Sequence, residues 1–161
     1  MDARDVITIG MSAERRLVVP PEQTVGHLLA GMPMVFATPM MILQMELASG
    51  DAIRTHLDPG WVTVGTEVDI KHLAASPVGA TVRTTSKVIA VERRVIRFEV
   101  ASFDGEREIG EGVTPADWSI SKLSTSGWAG RGKYSARHAL LTGFTSPIPS
   151  SVRWPPRSRG S

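Results

Sequence analysis

The chain has 161 residues, 42% hydrophobic and 21% charged, which suits one domain with a real core. It contains no cysteine, so disulfides and thiolate metal sites are excluded and a reducing compartment is allowed. The opening MDARDVITIG lacks the layout of a signal peptide, and the uncharged run 28–43, with Pro33 and Pro39, is too short to span a bilayer.

In chain order, residues 6–19 read as a strand with a polar interruption at 12–16, ended by Pro20-Pro21. Residues 22–29 form a short helical turn with Thr24 as its cap, and 31–33 a loop. The stretch VFATPMMILQMELASGDAIRTHL, residues 35–57, is the segment around which the chain is organised. Thr38 is placed as a helix N-cap and Pro39 at the first helical position, where no amide donor is missed. At ~100° per residue, Gln44, Asp51, Thr55 and Asp58 gather on one side. Pro39, Ile42, Leu43, Gly50, Ile53 and Leu57 gather opposite, with Glu46 in the middle of this apolar group. Asp58-Pro59-Gly60 then stops the helix.

A carboxylate on an apolar face requires an explanation, because an unpaired buried charge costs several kcal/mol. Either a nearby backbone or hydroxyl group satisfies Glu46, or Glu46 faces a cleft and serves as a base or nucleophile. Beyond Gly60 the period changes to two: Val62, Val64, Thr66, Val68, Ile70 and His72 point towards the helix. His72 is thus a second polar residue aimed inward. Alone it reads as a satisfied core or strand-end histidine; a second inward polar residue at Glu46 weakens that reading in favour of a functional one.

Ser76-Pro77-Val78-Gly79 is a turn, and residues 80–94 and 95–103 are strands, the second leading into an Asp104-Gly105 hairpin turn. Residues 106–120 form a last strand, placed at an edge or bulge because of Pro115. One long apolar helix followed by four antiparallel strands is an α+β design, and the sheet must curl to cover the helix. After residue 123 the periodicity ends. Residues 124–161 mix Gly, Ser and Pro with six basic and no acidic side chains, which leaves residues 1–123 with 12 basic against 16 acidic groups, a net of −4. The expected organisation is a domain at 1–123 and a disordered basic tail at 124–161.

The segments VFATPMMILQMELA, VGTEVDIKHLAASPVG and FEVASFDGEREIGEG resemble the fluoroacetyl-CoA thioesterase group of hot-dog acyl-CoA thioesterases, over residues 7–123. The resemblance implies a hot-dog fold, with a central helix wrapped by a curved antiparallel sheet of about five strands. It implies a catalytic set of Thr38, Glu46 and His72, with Gly65 near the acyl group. Two departures stand out. The segment before Val35 is shorter and lacks a phenylalanine-bearing lid, leaving Leu29, Met32, Met34 and Phe36; and Thr114-Pro115-Ala116 replaces a His-x-Arg on the last strand. The resemblance therefore implies thioester hydrolysis without fixing the acyl group.

On this reading the first free helix amides, at Met40 and Met41, stabilise the oxyanion formed when a thioester carbonyl is attacked. Glu46 attacks or activates water, and His72 relays protons. Thr38 and Glu46 lie eight residues apart, ~12 Å along the axis, so one carbonyl cannot easily meet both from one chain. A symmetric homodimer with shared sites is expected. The substrate is a small or medium acyl-CoA, with Phe36, Met40 and Met41 beside Gly65 in its binding. No cofactor, metal, nucleic acid or membrane partner is expected, and the compartment is cytoplasmic. The competing readings are a non-catalytic hot-dog acyl-CoA-binding module, a hot-dog hydratase or dehydratase, and tail-mediated binding to anionic polymers.

Overall fold

A computed structural model of the chain describes residues 3–57 and 63–117. The turn expected at 58–60, Val62, the end of the last strand and the 124–161 tail lie outside the described residues. Helix α2, Thr38–Arg54, runs 17 residues, roughly 25 Å. Ala37, extended at φ −79° and ψ 137°, is its N-cap and makes no side-chain cap bond. Thr38 is therefore the first helical residue and not the cap, and its hydroxyl is released for another partner.

The buried face of α2 carries Met41, Gln44, Met45, Ala48, Ser49, Ala52 and Ile53, spaced by three and four. This corrects the wheel reading: Gln44 is buried, whereas Leu43 is 44% exposed. The physical reason lies in the floor beneath the helix. Thr84, Ser86 and Ser102 are all buried there, so Ser49 docks without an orphaned hydroxyl. Its Oγ lies 2.8 Å from both the Met45 carbonyl oxygen and Ser86 Oγ. Small side chains at Ala48, Ser49 and Ala52 let the sheet approach closely, and hydropathy alone ranks this face too low.

The sheet holds β1 (Ser12–Val18), β2 (Val64–Gly65), β3 (Asp69–His72), β4 (Thr81–Val91), β5 (Val95–Asp104) and β6 (Arg107–Asp117). Strand order is β1-β4-β5-β6, and both β2 and β3 pair with β6. All pairings are antiparallel. Because β2 and β3 share one lane, the sheet has about five lanes. Its inner face contributes Val82, Val88, Ile96, Phe98, Val100 and Ile109 to the core. A short helix α1, Val25–Leu28, is capped by Thr24, whose hydroxyl accepts from the His27 amide at 3.3 Å. The Asp104-Gly105 turn forms as read, with Gly105 at φ 62°.

Three strand readings change. Residues 12–16, read as a polar interruption, lie within β1 itself, because Arg15 reaches Asp51 on α2 while Glu14 and Arg16 pair on the outer face. Strand β6 is not an edge; it lies between β5 and the β2/β3 lane. The strand expected through 62–72 is broken at 66–68, leaving Val64 and Val68 exposed. Pro115 explains the break, since it has no N–H to offer the ladder. Residues 114–115 oppose 66–68, between the Ala116–Gly65 and Val113–Asp69 pairs. The Thr66 amide still donates to the Pro115 carbonyl at 3.2 Å, and two side chains support the broken lane: Thr66 Oγ1 donates to the same carbonyl and Thr114 Oγ1 to that of Glu67. No helix among the described residues is long and apolar enough to cross a membrane.

Candidate active site

The site begins with the way the start of α2 is held. Residues 35–37 run extended between two neighbours. The Phe36 amide donates to the Ser76 carbonyl at 2.8 Å, and the Ala37 amide to that of Gln23 at 3.0 Å. Phe36 itself is fully buried, anchoring the segment like a peg. These bonds fix Thr38 at the mouth of the helix. On the other side, β3 is registered on β6 with His72 opposite Gly110. A side chain at Gly110 would meet the tip of Met41, whose Sδ and Cε lie 2.6 Å from the position of a Cβ. Its absence lets β6 approach the helix.

The result is a close polar pair. Thr38 Oγ1 lies 2.7 Å from His72 Nδ1. His72 Nε2 is buried and has no hydrogen-bond partner among the described residues. An orphaned ring nitrogen of this kind costs free energy unless a substrate, water or partner chain meets it. With the threonine hydroxyl donating to Nδ1, Nε2 carries the proton and points it at that site.

The helix amides are arranged differently from expectation. Met40 and Met41 N–H groups both donate to the Ala37 carbonyl, at 2.9 and 3.0 Å, and are not free. Proline at position 39 has no amide. The Thr38 N–H is the remaining donor of this first turn without an acceptor among the described residues. Met41 is fully buried in the core, Met40 half-buried.

Glu46 is half-buried and lies on the face of α2 away from the sheet core. Its carboxylate packs against Gly65. A methyl group there would fall on Glu46 Oε1 and lie 3.0 Å from Cδ, so only glycine leaves the carboxylate its place. The two border a pocket of about 310 Å³ walled by Leu43, Leu47, Leu57 and Val64, with Thr63, Thr114, Ala116 and Arg54 also on its lining.

Within one protomer, then, Thr38 meets His72 and Glu46 meets Gly65, and the two pairs stand about two helical turns apart. Thr38, His72, Phe36, Met40 and Met41 do not line the pocket; Phe36 and Met41 belong to the core. Sequence reasoning missed Arg54 as a pocket residue. The signal was present, since Leu43, Leu47, Gly50 and Arg54 follow one another by four, three and four, which is a helical stripe. Among the described residues no group of three His, Asp or Glu side chains could hold a metal.

A long helix laid across an antiparallel sheet in this order is the hot-dog fold, and the relatives that share it here are thioester hydrolases. Residues 19–115 match the family model described as FlK, fluoroacetyl-CoA-specific thioesterase. The fluoroacetyl-CoA thioesterase of Streptantibioticus cattleyicolor is 38% identical over 116 residues, covering 68% of this chain and 84% of that protein. A solved structure of the fluoroacetyl-CoA thioesterase FlK superposes with a TM-score of 0.66 at 37% identity, covering 69% of this chain and 87% of that one. Variants of that enzyme have been solved with acetyl-CoA and with fluoroacetate plus CoA. A thioesterase superfamily member from Thermus thermophilus superposes with a TM-score of 0.63 at 32% identity, over 69% of this chain and 82% of that one. The chain belongs to the fluoroacetyl-CoA-specific thioesterase family, and its enzymatic class is thioester hydrolase.

Proposed function

We propose that residues 1–123 hydrolyse a small or medium acyl-CoA to the free acid and CoA, in the cytoplasm, with Glu46, His72 and Thr38 as the reacting groups. The observation that carries this is the Glu46 carboxylate held against Gly65 at the rim of an apolar pocket. Glu46 supplies the oxygen nucleophile, through a water that it deprotonates or through its own carboxylate, in which case the resulting anhydride is cleaved by water to release the acid and restore Glu46. The carbonyl oxygen gains charge as the tetrahedral adduct forms, and the Thr38 N–H at the positive end of α2 is placed to receive it. The C–S bond then breaks, and His72 Nε2–H gives its proton to the departing thiolate. The Thr38 hydroxyl holds the imidazole in the tautomer this needs.

Thr38 and Glu46 act together only if two chains meet. On one helix they are ~12 Å apart, and their partners within the protomer differ. A two-fold dimer sets the Thr38–His72 pair of one subunit over the Glu46–Gly65 pair of the other, giving two equal sites. The pocket's leucine and valine walls suit an apolar acyl chain, and fluoroacetyl-CoA is one candidate among the short ones. The tail at 124–161 is outside this chemistry.

The test is a panel of acyl-CoAs from acetyl to long-chain, assayed for free thiol with wild type and Glu46→Ala. Wild type releases thiol most rapidly with short or medium chains, and the variant loses turnover by roughly a thousandfold or more. Thiol release by the variant at the wild-type rate would remove Glu46 from the mechanism. Binding without any release by wild type would indicate an acyl-CoA-binding module.

A further inference from the structure

The pocket beside Glu46 has a charged far end that the hydrolysis mechanism does not use. Arg54 lines it, eight residues beyond Glu46 on α2 and therefore ~12 Å further along the axis. Among the described residues it is the only basic side chain on the pocket's lining. The same pocket is lined by Leu47, Leu57 and Val64, side chains suited to methylene groups. A ligand that places its thioester at Glu46 and extends along this wall arrives at a guanidinium.

Among the described residues, the charge at that end is not neutralised by its neighbours. Arg54 Nη2 donates to Asp51 Oδ1 at 2.8 Å, but the other oxygen of the same carboxylate is taken by Arg15 Nη1 on β1. Among the described residues, two guanidinium groups share this one carboxylate, which leaves the Arg15–Asp51–Arg54 cluster with a net positive charge. Arg54 spends one donor on Asp51, and a guanidinium has five. The side chain is 69% exposed, whereas Asp51 is largely enclosed, so Asp51 acts as a bracket that aims Arg54. Among the described residues the strand opposite offers no cation to the pocket, its lining residues being Thr114 and Ala116.

We infer that Arg54 is a substrate-binding residue that takes an oxyanion, a carboxylate or a phosphate, carried on the thioester on the order of 10 Å from its carbonyl. This rests on the thioesterase reading and extends it to substrate choice. The oxyanion has two sources: a carboxylate at the far end of the acyl chain, or a phosphate of CoA.

Calorimetry with non-hydrolysable thioether analogues tests this without requiring turnover. The set comprises a neutral alkyl thioether of CoA, one of equal length ending in a carboxylate, and the neutral alkyl group on a pantetheine stub without phosphates. Wild type, Arg54→Ala and Arg54→Lys are compared. Arg54→Ala is expected to weaken binding of the oxyanion-bearing analogue roughly tenfold or more, with Arg54→Lys restoring part of it. Loss confined to the carboxylate-tipped analogue assigns the acyl chain as the source. Loss with both CoA analogues, but not with the stub, assigns the phosphate. Equal affinities of wild type and Arg54→Ala for every analogue overturn the inference and reduce Arg54 to a surface ion pair.

A parallel thiol-release assay keeps the two readings apart. Hydrolysis with no Arg54 dependence in binding preserves the thioesterase and removes the anion subsite. Arg54-dependent binding with no thiol release does the reverse.

Discussion

Helix α2 has two apolar faces, and they do different things. One carries Met41, Met45, Ala48, Ala52 and Ile53 and is buried on the sheet. The other carries Leu43, Glu46, Leu47, Gly50 and Arg54 and forms a pocket wall. By composition alone the second face is no less apolar than the first over its aliphatic positions. The difference lies in what each meets: a hydroxyl-bearing floor that accepts Ser49, or a short broken lane of the sheet that leaves room beside Gly65. A helix with two usable stripes lets stability and chemistry be altered separately, which is the property the following substitutions exploit.

The largest effect is expected from Gly65→Ala. The new methyl overlaps Glu46 Oε1, so either the carboxylate rotates away or β2 shifts. Misplacement of a reacting group by about 1 Å lowers rates roughly a hundredfold. Because β2 is a two-residue lane at the rim, the fold should tolerate the change, and thermal unfolding should stay close to wild type. Turnover within a few-fold of wild type would show that Glu46 does not need this position, and would remove the glycine from the site.

Met45→Ala is the counterpart on the other face. Met45 is fully buried beneath the helix. Its truncation should cost about 2–4 kcal/mol of stability, read as a lower urea midpoint, while the turnover of the molecules still folded changes little. If Met45→Ala lowered turnover as strongly as Gly65→Ala, the separation of the two faces would be lost.

How far the sequence revealed this division can be judged from single residues. Glu46 was legible because a carboxylate interrupts an otherwise apolar run, and His72 because the period-two pattern at residues 69–72 survives folding. Gly65 was visible only through the family resemblance, since a strand glycine carries no pattern of its own. Which stripe of α2 is buried was not legible, because Ser86, Thr84 and Ser102 decide it from strands distant in sequence. The break at 66–68 was hidden for the same reason. Its cause, Pro115, lies 49 residues from the threonine that compensates for it. Arg54 was not singled out in the sequence, since it stands in a last helical turn where cations favour the helix dipole, and the folded pocket places it on the lining. The amides of Met40 and Met41, read as free, were also misjudged, because the carbonyl of Ala37 accepts from both.

The smallest effect concerns a charge cluster that belongs to neither face of α2 and so serves as their control. Glu14 on β1 accepts from Arg16 Nε at 2.9 Å and from Arg83 Nη1 at 3.4 Å. The hydrogen bond from Arg16, with the nearby positive charges, holds the Glu14 carboxyl below its ordinary value of 4.5. Arg83 is itself seated over the Phe103 ring, 4.4 Å from its centre. A depressed carboxyl stabilises the fold while ionised: the contribution is complete above the ordinary, unfolded value and is lost as the pH falls through the lower, folded value. Glu14→Gln should therefore lower the urea midpoint slightly at pH 7, and the difference from wild type should close in acid. The group is exposed, so solvent screening keeps the effect small. A difference that persisted unchanged into strong acid would arise from packing or the neutral hydrogen bond instead. Turnover should be unaffected at every pH where both proteins are folded, because no residue of this cluster approaches either stripe of the helix.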